Sequence, residues 1–447
     1  MEKNLTTGNV FKTIVTFSLP YLLSYFLQTM YGMADLFIIG QFNTVESTTA
    51  VSIGSQVMHM LTVMLVGLAM GSTVMIGRAV GADRRSEVSK AIGNTVTLFM
   101  ALSVVLAVTL LLLVKPIVSI MLTPAEAVLG TIEYLTICFI GIPCITAYNV
   151  ISSIFRGMGD SKSPMYFVAI ACVANIGLDY LFIGAMRMGP TGAALGTTLS
   201  QTISVIVSLT VILRKKTGIV ITRQNFRPHP TTMKGLLTVG VPVALQDGFI
   251  QISFLVITAI ANQRGLSDAA AVGIVEKVIG ILFLVPSSML SAVSALCAQN
   301  MGAGHHDRAK LTLKYAITIA VSFGLFSAFL MLFAAEPVVS LFVKGQDTEV
   351  IRAGGQYLRG YVWDCVLAGI HFCFSGYFCA YGRSGISFLH NCISICFARI
   401  PLAWLASKMF ADTLMPMGLA TAIGSGVSVV VCCVAYFFLN RRTAPVR

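Results

Sequence analysis

Long apolar runs restrict this 447-residue chain more than any other feature. Residues 14–40, 50–77, 92–114, 131–155, 165–186 and 191–213 are each long enough to cross about 30 Å of hydrocarbon as a helix. The second half supplies 236–262, 269–298, 312–335, 353–380, 386–407 and 415–439. In lipid every backbone N–H and C=O must be satisfied within the chain, which leaves helices or a closed barrel. Barrel strands would be about ten residues long and alternating in polarity; these runs are neither. The chain is therefore expected to be an all-α polytopic membrane protein with twelve transmembrane helices. Pro and Gly interrupt the fourth and tenth runs most. Charged residues make up only 11% of the chain, against about 25% in soluble domains, too few for an ordinary water-facing surface.

The runs also repeat. Gly81-Ala82 returns as Gly302-Ala303, Pro20 as Pro242, Ala50-Val51 as Ala271-Val272, Pro116 as Pro337, and Pro190-Thr-Gly192 as Pro416-Met-Gly418. The offset drifts only from 221 to 226 residues. Two six-helix bundles related by an internal repeat follow: an N-lobe over 1–213, a cytoplasmic linker over 214–234 and a C-lobe over 235–447. Paired bundles of this kind are how many membrane transporters are built.

A net charge of +12 would suit nucleic acid, but its placement suits a membrane, and no nucleic-acid partner is expected. With the N-terminus inside, cytoplasmic loops and tails carry 21 Lys and Arg, including Lys3, Arg156, Lys215, Lys216, Arg441, Arg442 and Arg447. The opposite side carries 7, including Arg264 and Lys344, while Lys277 and Arg399 fall within spans. Such a bias places both termini in the cytoplasm by the positive-inside rule. All eleven cysteines lie in apolar segments and read as small packing residues rather than disulfides or metal ligands. No phosphate-binding Gly-rich loop, His-Glu-x-x-His or Gly-x-Ser-x-Gly is present. The chain reads as a non-enzyme without cofactor, energised by an ion gradient unless its transport is passive.

Ionisable groups inside a span cost roughly 2.5–3.5 kcal/mol on insertion scales and usually face a cavity or a partner. Four Asp residues fall in spans: Asp35, Asp179, Asp247 and Asp364. In the first run Tyr21, Ser24, Gln28, Tyr31 and Asp35 recur every three or four residues, a polar stripe on an otherwise apolar helix. Asn175 and Asp179 stand four apart in the fifth run, and Thr197 and Gln201 four apart in the sixth. A carboxylate beside an amide carbonyl is hard-oxygen chemistry, suited to Na⁺ or to a stored proton. The seventh run carries Asp247, Gln251 and Thr258, and the tenth Asp364 and His371. Trp363 places Asp364 near an interface, and Glu276 and Lys277 read as a compensating pair or as partners to other helices. Gln28, Tyr31, Gln201, Gln251, Asp247, Asp364 and His371 are the candidate substrate-cavity residues.

Together these features resemble the multidrug and toxic compound extrusion (MATE) family, in its DinF-like prokaryotic branch. The likeness rests on Pro20, Gln28, Tyr31, Asp35 and Gly40 in the first run, and on Arg78…Gly81-Ala82 with its echo Gln299-Asn300-x-Gly302-Ala303. Phe155-Arg156-Gly157-x-Gly159-Asp160 and Asn175-x-x-x-Asp179 complete it. The resemblance implies two lobes in a V, open alternately to each side. It implies cation coupling in the N-lobe at Asp35, Asn175, Asp179 and Thr197, with Tyr134 as the matching tyrosine. Na⁺ would sit at Asp35, Asn175 and Asp179. The implied function is secondary active multidrug efflux, exchanging lipophilic or cationic drugs for H⁺ or Na⁺, by a monomer in the inner (plasma) membrane. The alternative is a flippase for a lipid-linked or amphipathic substrate on the same fold. Aligning the repeats places Asp35 opposite Ile257 and Asp179 opposite Leu402, so the acids of the first half have no counterparts.

Overall fold

The computed structural model describes residues 4–214, 221–343 and 347–443, without the side chains of 440–443. Lys3, Lys215, Lys216, Lys344 and Arg447 therefore lie outside the described residues, as do part of the expected linker and the side chains of Arg441 and Arg442.

Each regular element among the described residues is a helix. The long ones, in chain order, are α1 (Val10–Phe42), α2 (Val45–Gly81), α3 (Arg85–Ile120), α4 (Ala125–Ile140 with Ile142–Gly157), α5 (Lys162–Ala185) and α6 (Gly189–Arg214). Then come α7 (Pro230–Asn262), α8 (Leu266–Gly302), α9 (His306–Ser340), α10 (Thr348–Ala380), α11 (Ser384–Met409) and α12 (Met415–Leu439). Eleven are long and apolar enough to span a membrane, and the bent pair α4 makes the twelfth. α4 turns through 50° at Gly141 because Pro143, at the start of its second half, has no N–H to bond the carbonyl one turn back. A Cβ on Gly141 would also collide with Thr198. The tenth run is interrupted only at Val362.

The helices gather into two compact units. Unit 1 holds the chain up to Thr7, Leu19–Gly240 and Ala298–Gly304; unit 2 holds Gly8–Ser18, Val241–Cys297 and the chain from His305. The path changes unit within two residues of Pro20 in α1 and of Pro242 in α7. These are repeat-related prolines, each interrupting its helix's hydrogen-bond ladder.

Inside unit 1 the repeated loops pack against each other. A Cβ on Gly81 would collide with the Gln299 carbonyl, and one on Gly302 with the Arg78 carbonyl. Gly302 is the repeat image of Gly81 and Gln299 that of Arg78, so the contact is symmetric about a local twofold. A second reciprocal crossing joins α2 to the start of α7, with Gly71 against Leu236 and Gly240 against Leu68. Small residues at such crossings let helix backbones approach closely in a membrane. Gln299 extends the seal: its Nε2 donates to the Gly157 carbonyl at 3.0 Å and its Oε1 accepts from the Leu5 N–H at 3.2 Å.

Unit 2 packs Ile257, Val272, Val275, Tyr357, Tyr361 and Met417 into its core. One arginine fastens its loops. Arg264 pairs with Asp268 at 2.7 Å and donates to the carbonyls of Ser407, Phe410 and Ala411 at 2.8, 3.0 and 2.8 Å. Those carbonyls lie at the C-terminal end of α11, where no intrahelical donor remains. Arg264→Ala should cost about 3 kcal/mol, since it strands a carboxylate and three acceptors together. Thermal unfolding in detergent would read this, and a melting temperature equal to wild type would refute it.

Candidate functional site: a buried carboxylate pair in unit 1

The site begins with an inside-out helix. On α1 the polar stripe turns inward: Tyr21, Ser24 and Asp35 are buried, whereas Leu19, Phe26, Met30 and Phe37 are exposed. This is the arrangement lipid selects, with apolar side chains outward and polar ones against protein. Asp35, near the end of that stripe, is 4% exposed.

Three further helices meet it. α5 carries Asn175 and Asp179, 1% and 0% exposed, and its regular turns end at Asp179. A wider π-helical turn, Tyr180–Ala185, follows, closed by a bond from Met186 N–H to the Leu181 carbonyl at 2.9 Å. Such turns concentrate at functional positions because they re-aim the residues beside them. α6 supplies Thr197, whose hydroxyl donates to Asp35 Oδ2 at 3.2 Å. Just before it, Gly196 leaves room for the carboxylate of Asp179; a Cβ there would collide with Asp179 Oδ1. α4 supplies Tyr134, which is seated over Gly54 of α2 and interacts with Thr197, Cys138 and Asp35. Tyr31 interacts with both Asp35 and Gln201, which joins the polar stripe of α1 to α6.

Asp35 and Asp179 face each other, with Asn175 beside them. Yet Asp35 Oδ1, both carboxylate oxygens of Asp179 and the Asn175 Oδ1 make no hydrogen bond of ordinary geometry. Buried oxygens are rarely left so. Two carboxylates this close and out of water need a cation or a shared proton between them. The donor set consists of hard oxygens only: carboxylates, an amide carbonyl and a hydroxyl, which fits Na⁺ as well as H⁺. Asp35, Asn175, Asp179, Thr197, Tyr134, Tyr31 and Gln201 thus converge.

The other candidate residues are placed differently. Gln28 is half-buried on α1 and interacts with Tyr148. Asp247 and Gln251 are half-buried in unit 2, and Asp247 makes no hydrogen bond or ion pair among the described residues. His371 is buried, with its ring 5.3 Å from that of His390; His390 in turn bonds Ser375 and Ser428 at 2.9 and 3.2 Å. Asp364 is 0% exposed and pairs with Arg399 at 3.5 Å. Glu276 bonds Thr258 at 3.0 and 3.1 Å rather than Lys277, which is exposed. Arg156, counted among loop cations, is buried with its guanidinium 4.7 Å above the Tyr21 ring. Gly196 carried no sequence signal, because its role lies wholly in what stands opposite it.

The MatE family model matches residues 20–181 and 242–405, once in each half. A probable multidrug resistance protein of Bacillus subtilis, YoeA, is 28% identical over 81% of this chain and 79% of its own length. A protein of Shewanella oneidensis named as an FAD transporter is 24% identical over 99% of this chain and 97% of its own. Among solved structures, a MOP superfamily transporter from Pyrococcus furiosus superposes with a TM-score of 0.90 at 25% identity, covering 98% of this chain and 97% of that one.

Proposed function

The chain belongs to the MATE family, and from that premise we propose that it is a multidrug efflux transporter coupled to H⁺ or Na⁺ through Asp35 and Asp179. Membership makes it a multi-pass membrane transporter of small molecules rather than an enzyme. The proposal adds the driving ion, the residues that bind it and the inner (plasma) membrane as its place, with both termini cytoplasmic. One observation carries it: two facing carboxylates and an amide oxygen, buried together on two helices with oxygens left unpaired.

The mechanism follows from charge. A proton or Na⁺ between Asp35 and Asp179 offsets one of the two negative charges, bridges the pair and draws α1 toward α5 and α6. Without it the carboxylates repel, and an arrangement that separates them is favoured. An ion can move the protein between conformations only by binding one of them more tightly, and this pair supplies that difference. Pro20, which cannot bond the Thr16 carbonyl, gives α1 a point at which to bend. Gln28, Tyr31 and Gln201 continue the polar surface along which an organic substrate would be handed on.

The test is export of lipophilic organic cations from proteoliposomes, with a proton gradient and a sodium gradient imposed separately. At least one should drive export above protein-free liposomes; export indifferent to both would end the proposal. Gly196→Ala probes the geometry without altering any charge. Displacing Asp179 by about 1 Å should lower gradient-driven export roughly 10- to 100-fold. Gly177→Ala, on α5 with nothing within 4 Å of its added Cβ, should leave export unchanged. Equal rates for the two variants would show that the Gly196 contact does not matter.

A further inference from the structure

Unit 2 contains a second buried charge cluster, built on the repeat-related helices and opposite in sign. α11 is the counterpart of α5, and it too contains a π-helical turn, Ile395–Arg399, which ends on a buried ionisable residue; the turn of α5 follows directly after one. In α5 that residue is Asp179; in α11 it is Arg399, 6% exposed. Each is accommodated by a glycine on the following helix. Gly196 of α6 faces Asp179, and Gly424 of α12 would place a Cβ 2.9 Å from that of Arg399.

Around the Arg399 guanidinium stand the groups that ordinarily recognise a free cation. Nη2 donates to the Tyr361 hydroxyl at 2.6 Å and lies 3.5 Å from Asp364 Oδ2. The guanidinium sits 5.1 Å from the centre of the Phe254 ring and 5.7 Å from that of Tyr361. Glu276, held by Thr258, lies within its electrostatic reach, and Ser425 interacts with Asp364. Carboxylates, a phenol and aromatic faces are the chemistry of organic-cation binding. The pairing is also incomplete, since Asp364 Oδ1 and Arg399 Nε make no hydrogen bond. Arg–carboxylate pairs are frequently bidentate, with two parallel bonds; this one is not.

We propose that unit 2 holds a cation site, formed by Asp364, Glu276, Tyr361, Thr258 and Phe254, whose occupant is the chain's own Arg399. The tethered guanidinium excludes external cations and confines ion binding to unit 1. Removing it uncovers a site for a free monovalent cation. The inference concerns unit 2 alone, and it stands or falls independently of whether Asp35 couples transport.

The test is chemical rescue in purified protein. Arg399→Ala strands Asp364 and should lower the melting temperature; millimolar guanidinium chloride should raise it again by several degrees, as a ligand that binds only the folded state does. The wild type and Arg399→Lys, each with its own resident cation, should show no such rise. Arg399→Ala/Asp364→Asn should lose the rescue. A parallel titration with NaCl separates a general monovalent site, rescued equally by Na⁺, from one selective for guanidinium; either result supports the proposal. No rescue of Arg399→Ala, or rescue that survives loss of Asp364, would overturn it. Should that variant not fold, radioactive Na⁺ binding to Asp35→Asn/Asp179→Asn with Arg399 intact decides the matter. No binding is expected, and binding abolished by Asp364→Asn would refute a filled site.

Discussion

Asp35→Asn should reduce gradient-driven export to the rate of protein-free liposomes while the protein still folds. The substitution preserves shape and leaves an amide oxygen to accept from Thr197, which now bonds Asp35 Oδ2. It removes one charge of a facing pair, and with it the mutual repulsion that an ion would relieve. Because a buried unpaired charge opposes folding, stability should change by no more than about 1 kcal/mol, with stabilisation as the expected direction. Asp179→Asn should act similarly, and the double variant should be no worse than either single one, since both break the same pair. Retained export under a proton or sodium gradient in Asp35→Asn would place coupling elsewhere. A large drop in melting temperature would show instead that the carboxylate is structural.

Gly81→Ala should damage the molecule itself. Its added Cβ would meet the backbone carbonyl of Gln299, which no rotamer change can move aside. The ends of α2 and α8 would have to separate, and overpacking of a tight contact costs typically 1–3 kcal/mol. Gly302→Ala, the mirror substitution against the Arg78 carbonyl, should cost about as much. Once the first Cβ has forced the crossing open the second meets less resistance, so the pair should cost less than the sum. Gly32→Ala, where nothing lies within 4 Å, is the neutral control. Thermal unfolding of the four proteins distinguishes these outcomes, and strict additivity would show that the two glycines do not share one crossing.

The helices and most of the unit 1 site were readable because their cause is local. Spans declare themselves by length and apolarity, and the break in α4 by Pro143. Asn175 and Asp179, or Gln28, Tyr31 and Asp35, fall on one face by helical spacing alone. That Asp35 meets Asp179 is a tertiary fact; resemblance to a family anticipated it, and spacing did not. Non-local partners were invisible. That Asp364 meets Arg399 could not be read from spacing, because Arg399 lies on another helix. Arg156 was counted with the loop cations because nothing nearby in the chain announces Tyr21 as its cover. Gly196 is one of 39 glycines and is set apart only by the carboxylate opposite it.

The crossing of Gly81 on Gln299 and Gly302 on Arg78 carries one more consequence. A contact in which residue i of one copy touches residue j of the other, and j touches i, is isologous, the kind formed by identical subunits about a twofold axis. Either half alone already carries both faces of it. A chain ending after the first half would therefore own a patch that fits itself, and should pair through Arg78 and Gly81 without any second gene. Such self-complementarity would let an ancestral half-length protein work as a homodimer. Fusion would then have freed each half to change separately, one with a facing pair of acids within its helices and the other with an arginine set among its acids.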